Sequence, residues 1–466
     1  MKILHLLWGF SPWREGGLVQ YADDLMAAQA AAGHGVAAFF AGRRGFWGKP
    51  ALARWNRGGV RQYEIRNSPL VHLGIRGTFP VAGELGEPRS EEFFREALDD
   101  FAPHVVHIHE LAGLPFTLMD IAGERDLPLV LTLHDYFPFC PTLNLFTPQG
   151  EYCRDSSGTG CAACCRQGSD GGLSDRLRTV KAAGLSKWLF AAPLLVRYAW
   201  DRFSLRGGTS PAELAEVYRQ RYHQNVARLR RADIMIAQSR RTGEIYGDLT
   251  GRRDIRVAHS TPSHIEKFTA RRMEDVLPPV RFATLNGAAA LHKGAELLAT
   301  AVEILKQRGH EGAYRLEVHG GMDRRVRRRL LSFASVRWHG GYHRERLREI
   351  LAHVDVGIIP SLCEEVYGYV GIEFLANGIP VIGNRRGGIV DYTINGRTGW
   401  VNETCTAEGL ADIMERIIND PRSILPLNRW ISDNRGEVIA DREEHLGSVV
   451  RYYEEAIAAH GGVRGE

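Results

Sequence analysis

The chain has 466 residues, of which 44% are hydrophobic and 24% charged, and its formal net charge is +4. This length is too great for one ordinary core and suits two α/β domains of a globular protein. So small a charge argues against nucleic-acid binding, which needs a concentrated basic surface. The sequence has no apolar stretch of about 20 residues, so we expect no membrane-spanning helix.

The first half of the chain alternates apolar runs with helical patterns, which is typical of a parallel, doubly wound sheet. Its opening run is too short for a signal peptide, so we interpret it as a strand and expect a cytoplasmic protein. The predicted elements are strands Ile3–Trp8, Gly35–Phe40, Val105–His109, Leu129–Leu133, Ala232–Gln238 and Ile255–His259, and helix Tyr21–Ala32. We therefore place a Rossmann-like domain at residues 1–262, with an insertion at about 150–222.

A second alternating series begins near residue 280 and predicts a second domain at residues 263–444. Its predicted strands are Arg281–Leu285, Arg315–His319, Val336–His339, Val354–Pro360 and Val381–Gly383, and its clearest helix is Ala295–Gln307. Two doubly wound domains in tandem indicate a cleft between them, which is a usual place for a ligand.

The most specific motif is a pair of glutamates, Glu365 and Glu373, with seven residues between them. The pair lies between two predicted strands, where loops at the carboxyl ends of an open α/β sheet bind ligands. Carboxylates accept hydrogen bonds from hydroxyl groups, and a sugar consists mostly of hydroxyls. Two solvated acids on a capped helix would explain the spacing alone, but glycines and a proline at set positions favour a site.

The glutamate pair, followed by Leu375-Ala376, Gly378 and Pro380-Val381, resembles the donor-site signature of retaining glycosyltransferases of the GT-B fold, family 4. The resemblance implies an α/β protein with two Rossmann-like doubly wound domains that face a cleft. It also implies that a final helix at 445–466 packs back on the first domain. The implied reaction transfers a sugar from a nucleotide diphosphate to a hydroxyl group, with retention at the anomeric carbon.

The same resemblance assigns roles to individual residues. It implies that Glu365 contacts the transferred sugar as a catalytic residue and that Glu373 binds the nucleotide ribose. The donor-binding set is Lys293, Glu373, Val366, Tyr367, Gly368, Gly16, Gly17 and Gly287. His134 ends a predicted strand and matches a family histidine near the reacting sugar, where it would hydrogen-bond the donor or help with the proton of the incoming hydroxyl.

One position departs from the family pattern. The family usually has an arginine and a lysine here that neutralise the diphosphate; Lys293 is present in this chain, but Ala288 occupies the place of the arginine. Charge-assisted hydrogen bonds to phosphate are strong, so this loss matters. Either Arg385 or Arg386 compensates, or the chain is a degenerate GT-B scaffold or partner subunit. A nucleotide-sugar epimerase or phosphorylase on the same fold is a further alternative.

The resemblance implies no catalytic metal and a glycan or lipid-linked glycan as acceptor. The sequence does not reveal the base or the sugar of the donor, and a UDP-sugar is our working choice. A separate metal hypothesis comes from Cys140, Cys153, Cys161 and Cys164, whose spacing is compatible with a structural zinc site. Free thiols or a disulfide are the alternatives, and an iron–sulfur cluster is a weaker one. The zinc would stabilise an insertion that is poor in apolar residues.

The segment 176–206 combines basic residues with aromatic ones, which suits a membrane surface better than a membrane span. A peripheral position on the inner face of the membrane would fit a lipid-linked acceptor. A helical hairpin packed on its own domain explains the aromatic residues equally well. The basic run 323–329 is best interpreted as a solvated helix face, so we expect no nucleic-acid partner.

Overall fold

A computed structural model of the chain describes residues 1–43, 49–72, 77–165 and 210–462. Two open, mainly parallel sheets form separate layers with helices on both faces, so the predicted pair of Rossmann-like domains is confirmed. The predicted membrane-surface segment 176–206 lies outside the described residues. None of the helices in the described ranges is long and apolar enough to cross a bilayer.

The first sheet has eight strands in the order β10-β9-β8-β7-β1-β2-β4-β3. They are β1 (Lys2–Leu7), β2 (Gly35–Ala41), β3 (Ala51–Arg57), β4 (Val60–Arg66), β7 (Val105–Ile108), β8 (Leu129–Leu133), β9 (Ile234–Ala237) and β10 (Arg256–Val257). A separate short pair consists of β5 (Val71–His72) and β6 (Thr78–Phe79). The central strands are buried on both faces, which is why they appear in the sequence as unbroken apolar runs.

The hairpin of β3 and β4 was not predicted from the sequence. Its strands pair antiparallel from Ala51↔Arg66 to Arg57↔Val60, around the two glycines Gly58 and Gly59. Strand β3 is the edge of the sheet and is largely exposed, so its sequence mixes polar and apolar residues without an apolar run.

Six helices accompany the first sheet in the described residues. They are α1 (Gly17–Ala31), α2 (Pro88–Phe101), α3 (Thr117–Glu124), α4 (Cys161–Cys165), α5 (Pro211–Arg230) and α6 (Arg240–Thr250). Helix α5 begins with a capping box in which the Ser210 hydroxyl accepts from Glu213 N and the Glu213 carboxylate accepts from Ser210 N. It runs without a break through residue 222, where we had placed the end of the insertion.

The second sheet has six strands in the order β13-β12-β11-β14-β15-β16, all parallel. They are β11 (Val280–Leu285), β12 (Tyr314–His319), β13 (Val336–Gly340), β14 (Val356–Ile359), β15 (Val381–Asn384) and β16 (Gly399–Asn402). Strand β16 was not predicted from the sequence, because it is short and begins with glycine. It nevertheless pairs with β15 from Val381↔Gly399 to Asn384↔Asn402.

The helices of the second half surround this sheet and then return to the first one. They are α7 (Ala295–Gln307), α8 (Arg324–Leu330), α9 (Leu347–Leu351), α10 (Tyr369–Ala376), α11 (Ile389–Tyr392), α12 (Ala407–Asn419), α13 (Ile424–Asp433), α14 (Arg435–Val438) and α15 (Arg442–Gly462). The last helix, α15, belongs to the core of the first half: Val449, Tyr453 and Ala456 pack with Ile3 and Val105.

Candidate active site

A cavity of about 700 Å³ opens between the two sheets at the carboxyl ends of their strands. The first half of the chain contributes the loop before α1, residues 15–18, and the end of β8, residues 134–136. The second half contributes the loops after β11, β12 and β14 and the start of α10. All ten residues predicted as catalytic or donor-binding line this cavity: His134, Glu365, Lys293, Glu373, Val366, Tyr367, Gly368, Gly16, Gly17 and Gly287.

Lys293 and Glu365 form an ion pair at one end of the cavity. Lys293 Nζ donates to Glu365 Oε1 at 2.5 Å, and Ser361 Oγ donates to the same oxygen at 2.7 Å. Burial alone would raise the pKa of Glu365, but the Lys293 charge and these hydrogen bonds lower it below its ordinary value. Burial would likewise lower the pKa of Lys293, and the Glu365 charge raises it instead. Both groups are therefore charged at neutral pH.

The loop that carries Lys293 is held close to β14 by a glycine. Lys293 ends a short 3₁₀ turn, Leu291–Lys293, and Gly294 follows with φ of 86° before α7 begins. A Cβ atom at Gly294 would collide with the carbonyl of Pro360 at the end of β14. Only glycine allows this conformation and this approach together, and the result brings the Lys293 ammonium to Glu365.

The other end of the cavity is formed around Glu373, on α10. Its Oε1 lies 2.8 Å from Nε2 of His264, which comes from the segment that joins the two halves of the chain. Tyr342 and Arg344, from the loop after β13, line the cavity beside this pair. Burial, and after it the Glu373 charge, raise the pKa of Tyr342, so its hydroxyl remains protonated. This end thus offers a carboxylate, an imidazole, a phenol and a guanidinium.

The missing arginine is not replaced from the positions that we expected. Ala288 is fully buried and does not line the cavity. Arg385 is paired with Glu403 on the surface, and Arg386 lines a different cavity. Among the described residues, Lys293 and Arg344 are the lysine and arginine side chains that line the cavity between the sheets.

His134 comes directly after β8, and its imidazole contacts buried side chains of the first half of the chain. Its Nε2 is 3.3 Å from Nδ1 of the buried His109, and Tyr21 from α1 packs edge-on against its ring at 4.7 Å. Burial lowers the pKa of His134 to about 3, against an opposing hydrogen bond with Gln238. His134 is therefore neutral at physiological pH, and a neutral imidazole has one nitrogen that donates and one that accepts.

The two halves of the chain contact each other along the cavity. Tyr369, on α10, shares a hydrogen bond with Ser260 Oγ at 2.7 Å and accepts one from Gln238 Nε2 at 3.2 Å. A Cβ atom at Gly17 would lie 2.9 Å from the Tyr369 ring, so the glycine pair lets α1 approach the second half closely. His259 Nε2 is 2.9 Å from Asp391 Oδ2, a further contact across the cleft.

The structure adds lining residues that sequence reasoning missed. They are Asp135, Tyr136, Gln238, His264, Tyr342, Arg344 and Tyr369. Asp135, Tyr136 and Tyr369 are next to predicted residues and could have been found by extending each motif. Gln238 ends the predicted strand Ala232–Gln238, so the same strand-end argument could have found it. His264, Tyr342 and Arg344 reach the cavity only through the arrangement of strands and connections, and no local pattern marks them.

The cysteine prediction is not supported. Cys140, Cys153, Cys161 and Cys164 line one cavity of about 810 Å³, away from the cleft between the sheets. Zinc ligands must converge on one point, with each sulfur about 2.3 Å from the metal. Within the described ranges, the group of side chains whose ligand atoms all lie within 4.8 Å of one another is His5, His107 and His109, and the cysteines form no such group.

Comparisons with known proteins agree with this architecture. Residues 283–420 match the family "Glycosyl transferases group 1", and residues 16–170 match "Glycosyl transferase 4-like domain". The chain therefore belongs to the group 1 glycosyltransferases and has their two-domain GT-B fold.

Curated relatives match parts of the chain. A lipopolysaccharide 1,2-N-acetylglucosaminetransferase of Salmonella typhimurium is 29% identical over 107 residues, which are 23% of this chain and 25% of that protein. A D-inositol 3-phosphate glycosyltransferase of Pseudarthrobacter chlorophenolicus is 28% identical over 182 residues, or 38% of this chain and 43% of the relative. The matched parts are thus less than half of either relative.

Solved structures match over nearly the whole chain. Sucrose-phosphate synthase from Thermosynechococcus elongatus superposes with a TM-score of 0.61 at 18% identity, covering 98% of this chain and 100% of that one. Anabaena HepE in complex with UDP-glucose has a TM-score of 0.57 at 13% identity, with 98% and 100% covered. At these identities the likeness establishes the fold alone.

Proposed function

We propose that this protein is a retaining glycosyltransferase that moves a sugar from a nucleotide diphosphate to a hydroxyl group of a glycan or lipid-linked acceptor. The observation that carries the proposal is the cavity between the sheets. Lys293 from the turn before α7, Glu365 from the loop after β14 and Glu373 from α10 converge there, and His134 faces them from the first half. Family membership supplies the class of reaction, and the cavity supplies groups that suit each part of the donor.

We place the donor in the cavity in one orientation, with its ribose and its transferred sugar at opposite ends. Glu373 accepts hydrogen bonds from the ribose hydroxyls at one end, and Lys293 neutralises the diphosphate. Glu365 and His134 orient the transferred sugar at the other end, with Val366, Tyr367 and Gly368 along its path. The start of α1 at Gly16 and Gly17 adds backbone N–H groups and a favourable dipole for anions. Stabilising the departing diphosphate in this way is electrostatic catalysis by the chain's own groups.

The nucleotide is proposed to be UDP. The support is indirect: structural relatives include HepE in complex with UDP-glucose and a trehalose-phosphate synthase described as UDP-forming. The acceptor would bind to the first domain, for which we propose the bounds 1–262, with the donor domain at 263–444 and the returning helix at 445–466. A lipid-linked acceptor would place the protein in the cytoplasm with peripheral membrane contact through 176–206, which liposome flotation would test.

Thermal shift with UDP, GDP, ADP and TDP, followed by calorimetric titration, tests the proposed function. A nucleotide present far above its dissociation constant stabilises the folded state by a few kcal/mol. We expect UDP to raise the melting temperature most, and the Glu373→Ala variant to lose this shift. A matched control is Glu303→Ala, because the Glu303 carboxylate on α7 is paired with Arg329 and does not line the cavity.

Each outcome of this screen decides between named alternatives. A shift with GDP or ADP instead of UDP would keep the transferase and change the donor. No shift with any nucleotide would favour the degenerate scaffold and make Ala288 the residue to explain. Incubation with UDP-glucose and a glycan acceptor, with product analysis by NMR, would then show whether the anomeric configuration is retained.

A further inference from the structure

A continuous chain of buried side chains connects His134 to the interior of the first domain. His134 Nε2 lies 3.3 Å from His109 Nδ1, and His109 Nε2 lies 2.9 Å from His5 Nδ1. His5 Nε2 then lies 2.8 Å from Oε1 of Gln29, on α1. His5, His109 and Gln29 are almost completely buried, so water does not provide alternative partners.

The direction of every hydrogen bond in this chain follows from its far end. An amide oxygen only accepts, so Gln29 Oε1 requires the proton on His5 Nε2. His5 Nδ1 is then the accepting nitrogen and requires the proton on His109 Nε2. His109 Nδ1 accepts in turn, which requires the proton on His134 Nε2. The argument holds for neutral rings, and burial keeps the pKa of His5 at about 4 and that of His109 well below its ordinary value.

On its other side, Gln29 makes a second set of contacts that is compatible with this orientation. Gln29 Nε2 donates to the hydroxyl of Tyr453, on α15, at 2.9 Å. That hydroxyl lies 2.6 Å from His107 Nδ1, and His107 Nε2 lies 2.8 Å from Thr132 Oγ1. Because the Tyr453 hydroxyl accepts from Gln29, it can donate to His107, so this branch is compatible with the amide orientation that the structure has. Reversing the Gln29 amide would reverse both branches.

We propose that Gln29, acting through His5 and His109, sets the tautomer of His134, so that Nε2 carries the proton and Nδ1 keeps its lone pair. These three are positioning residues, because none of them lines the cavity. The consequence rests on the proposed function: His134 would accept a hydrogen bond at Nδ1 from a hydroxyl group of the bound substrate. The tautomer itself can be measured without any substrate, so it is testable even if the donor or acceptor is wrong.

A second amide competes for the same ring. Gln238 also makes a side-chain hydrogen bond with His134, and its amide nitrogen donates to Ser260 and Tyr369. If the Gln238 oxygen determined the tautomer, the proton would lie on His134 Nδ1 and the whole chain would be reversed. A metal ion bound by His5, His107 and His109 would also remove the ring protons that the chain needs. Both alternatives make different predictions for the same measurement.

The experiment is a two-bond ¹H–¹⁵N correlation spectrum of the full-length protein labelled with ¹⁵N-histidine, at pH 7. His134 is assigned by its loss in His134→Asn. We expect its Nε2 to resonate as a protonated nitrogen and its Nδ1 as an unprotonated one. Gln29→Glu keeps an acceptor for His5 and should preserve this pattern. Gln29→Met is similar in size but has no acceptor, so we expect the proton to move to Nδ1 of His134.

Four results would overturn the inference. The first is a wild-type His134 with its proton on Nδ1, and the second is a pattern unchanged in Gln29→Met. The third is a tautomer that reverses in Gln238→Ala but not in Gln29→Met, and the fourth is a stoichiometric metal ion in elemental analysis. The melting temperature and the UDP shift of each variant are recorded alongside. A folded Gln29→Met protein that binds UDP with a changed His134 pattern supports the inference, whereas loss of UDP binding in the wild type contradicts only the proposed function.

Discussion

Lys293 is the side chain whose loss should weaken diphosphate binding most selectively. Its ammonium is held at 2.5 Å from Glu365, so it is ordered before a donor arrives. A charge-assisted hydrogen bond is worth about 1.5–3 kcal/mol, so we expect Lys293→Met to weaken UDP binding by at least about tenfold. Calorimetric titration with UDP and with uridine measures the effect, and uridine, which lacks phosphate, should bind the variant and the wild type equally.

Lys306→Met is the matched control for this prediction. Lys306 is on α7, the helix that follows Lys293, but it is exposed and pairs with Glu311 at 3.5 Å. Its replacement should leave UDP affinity unchanged. Equal losses for UDP and uridine in Lys293→Met would indicate that the loop had collapsed and would contradict a phosphate contact.

The sequence was sufficient to predict those cavity-lining residues that belong to a sequence motif. Glu365, Glu373 and Lys293 follow strand ends, and strand ends are visible as apolar runs with a break. Tyr342 and His264 could not be predicted, because they reach the cavity through a loop after β13 and a connection between sheets. The Lys293–Glu365 pair was also missed, since 72 residues separate its members in sequence.

At the scale of single elements, the turn before α7 depends on one glycine. Gly294 has φ of 86°, and a Cβ atom there would collide with the Pro360 carbonyl. We expect Gly294→Ala to lower the free energy of unfolding by about 3 kcal/mol or more, because both strain and collision must be relieved. Urea denaturation followed by circular dichroism measures this change.

Gly309, just after the end of α7, separates backbone strain from steric collision as causes of the lost stability. Its φ is 84°, and no atom lies within 4 Å of the position of a Cβ. Gly309→Ala therefore carries only the backbone strain, about 1 kcal/mol. If both variants lost the same stability, the close approach of the Lys293 loop to β14 would be of no consequence.

Helix α5 is anchored by an ion pair that is buried almost completely. The Arg221 guanidinium contacts the Glu84 carboxylate and donates to the Phe137 carbonyl at 2.5 Å. Removing one partner leaves the other charge buried and unpaired, so we expect Arg221→Met to cost about 3–5 kcal/mol. Thermal unfolding measures it, and a double variant with Glu84→Gln should recover part of the loss. A double variant less stable than the single one would contradict this account.

Elements with a strong local signal were the ones that the sequence predicted. Strand β8 and helix α7 were assigned with the bounds that the structure has, because each is a sustained apolar pattern between clear breaks. The hairpin of β3 and β4 was missed because neither strand is an apolar run: β3 is a partly exposed edge strand, and β4 buries the polar residues Gln62 and Glu64. Its position is fixed by pairing with β2, from Val36↔Val60 to Ala41↔Ile65, which no local pattern reveals.

For the whole molecule, the buried histidines make stability depend on pH. Burial lowers the pKa of His5 and of His445 to about 4 and holds the pKa values of His107 and His109 well below their ordinary value. The unfolded chain binds protons at these residues below about pH 6.5 while the folded protein does not. Stability is therefore complete above that pH and is lost as the pH falls towards 4, by up to about 1.4 kcal/mol per histidine per pH unit.

We expect the urea midpoint to fall steeply between pH 6.5 and 5, and His445→Asn to make the fall less steep. His223→Asn is the control, because His223 lies on the exposed side of α5. A wild-type midpoint that does not change over this pH range would show that the buried histidines take up protons without unfolding.

The packing of helix α15 on the first sheet determines where the junctions of a chimeric protein in this family should be placed. Tyr453 of this helix hydrogen-bonds Gln29 and His107, and Val449 and Ala456 fill the core beside β1 and β7. A donor specificity transplanted from a relative should therefore be exchanged as a cassette with two junctions, one near residue 262 and one just before Arg442. A single-junction swap would put a foreign helix against the native first sheet, and its product should be poorly soluble.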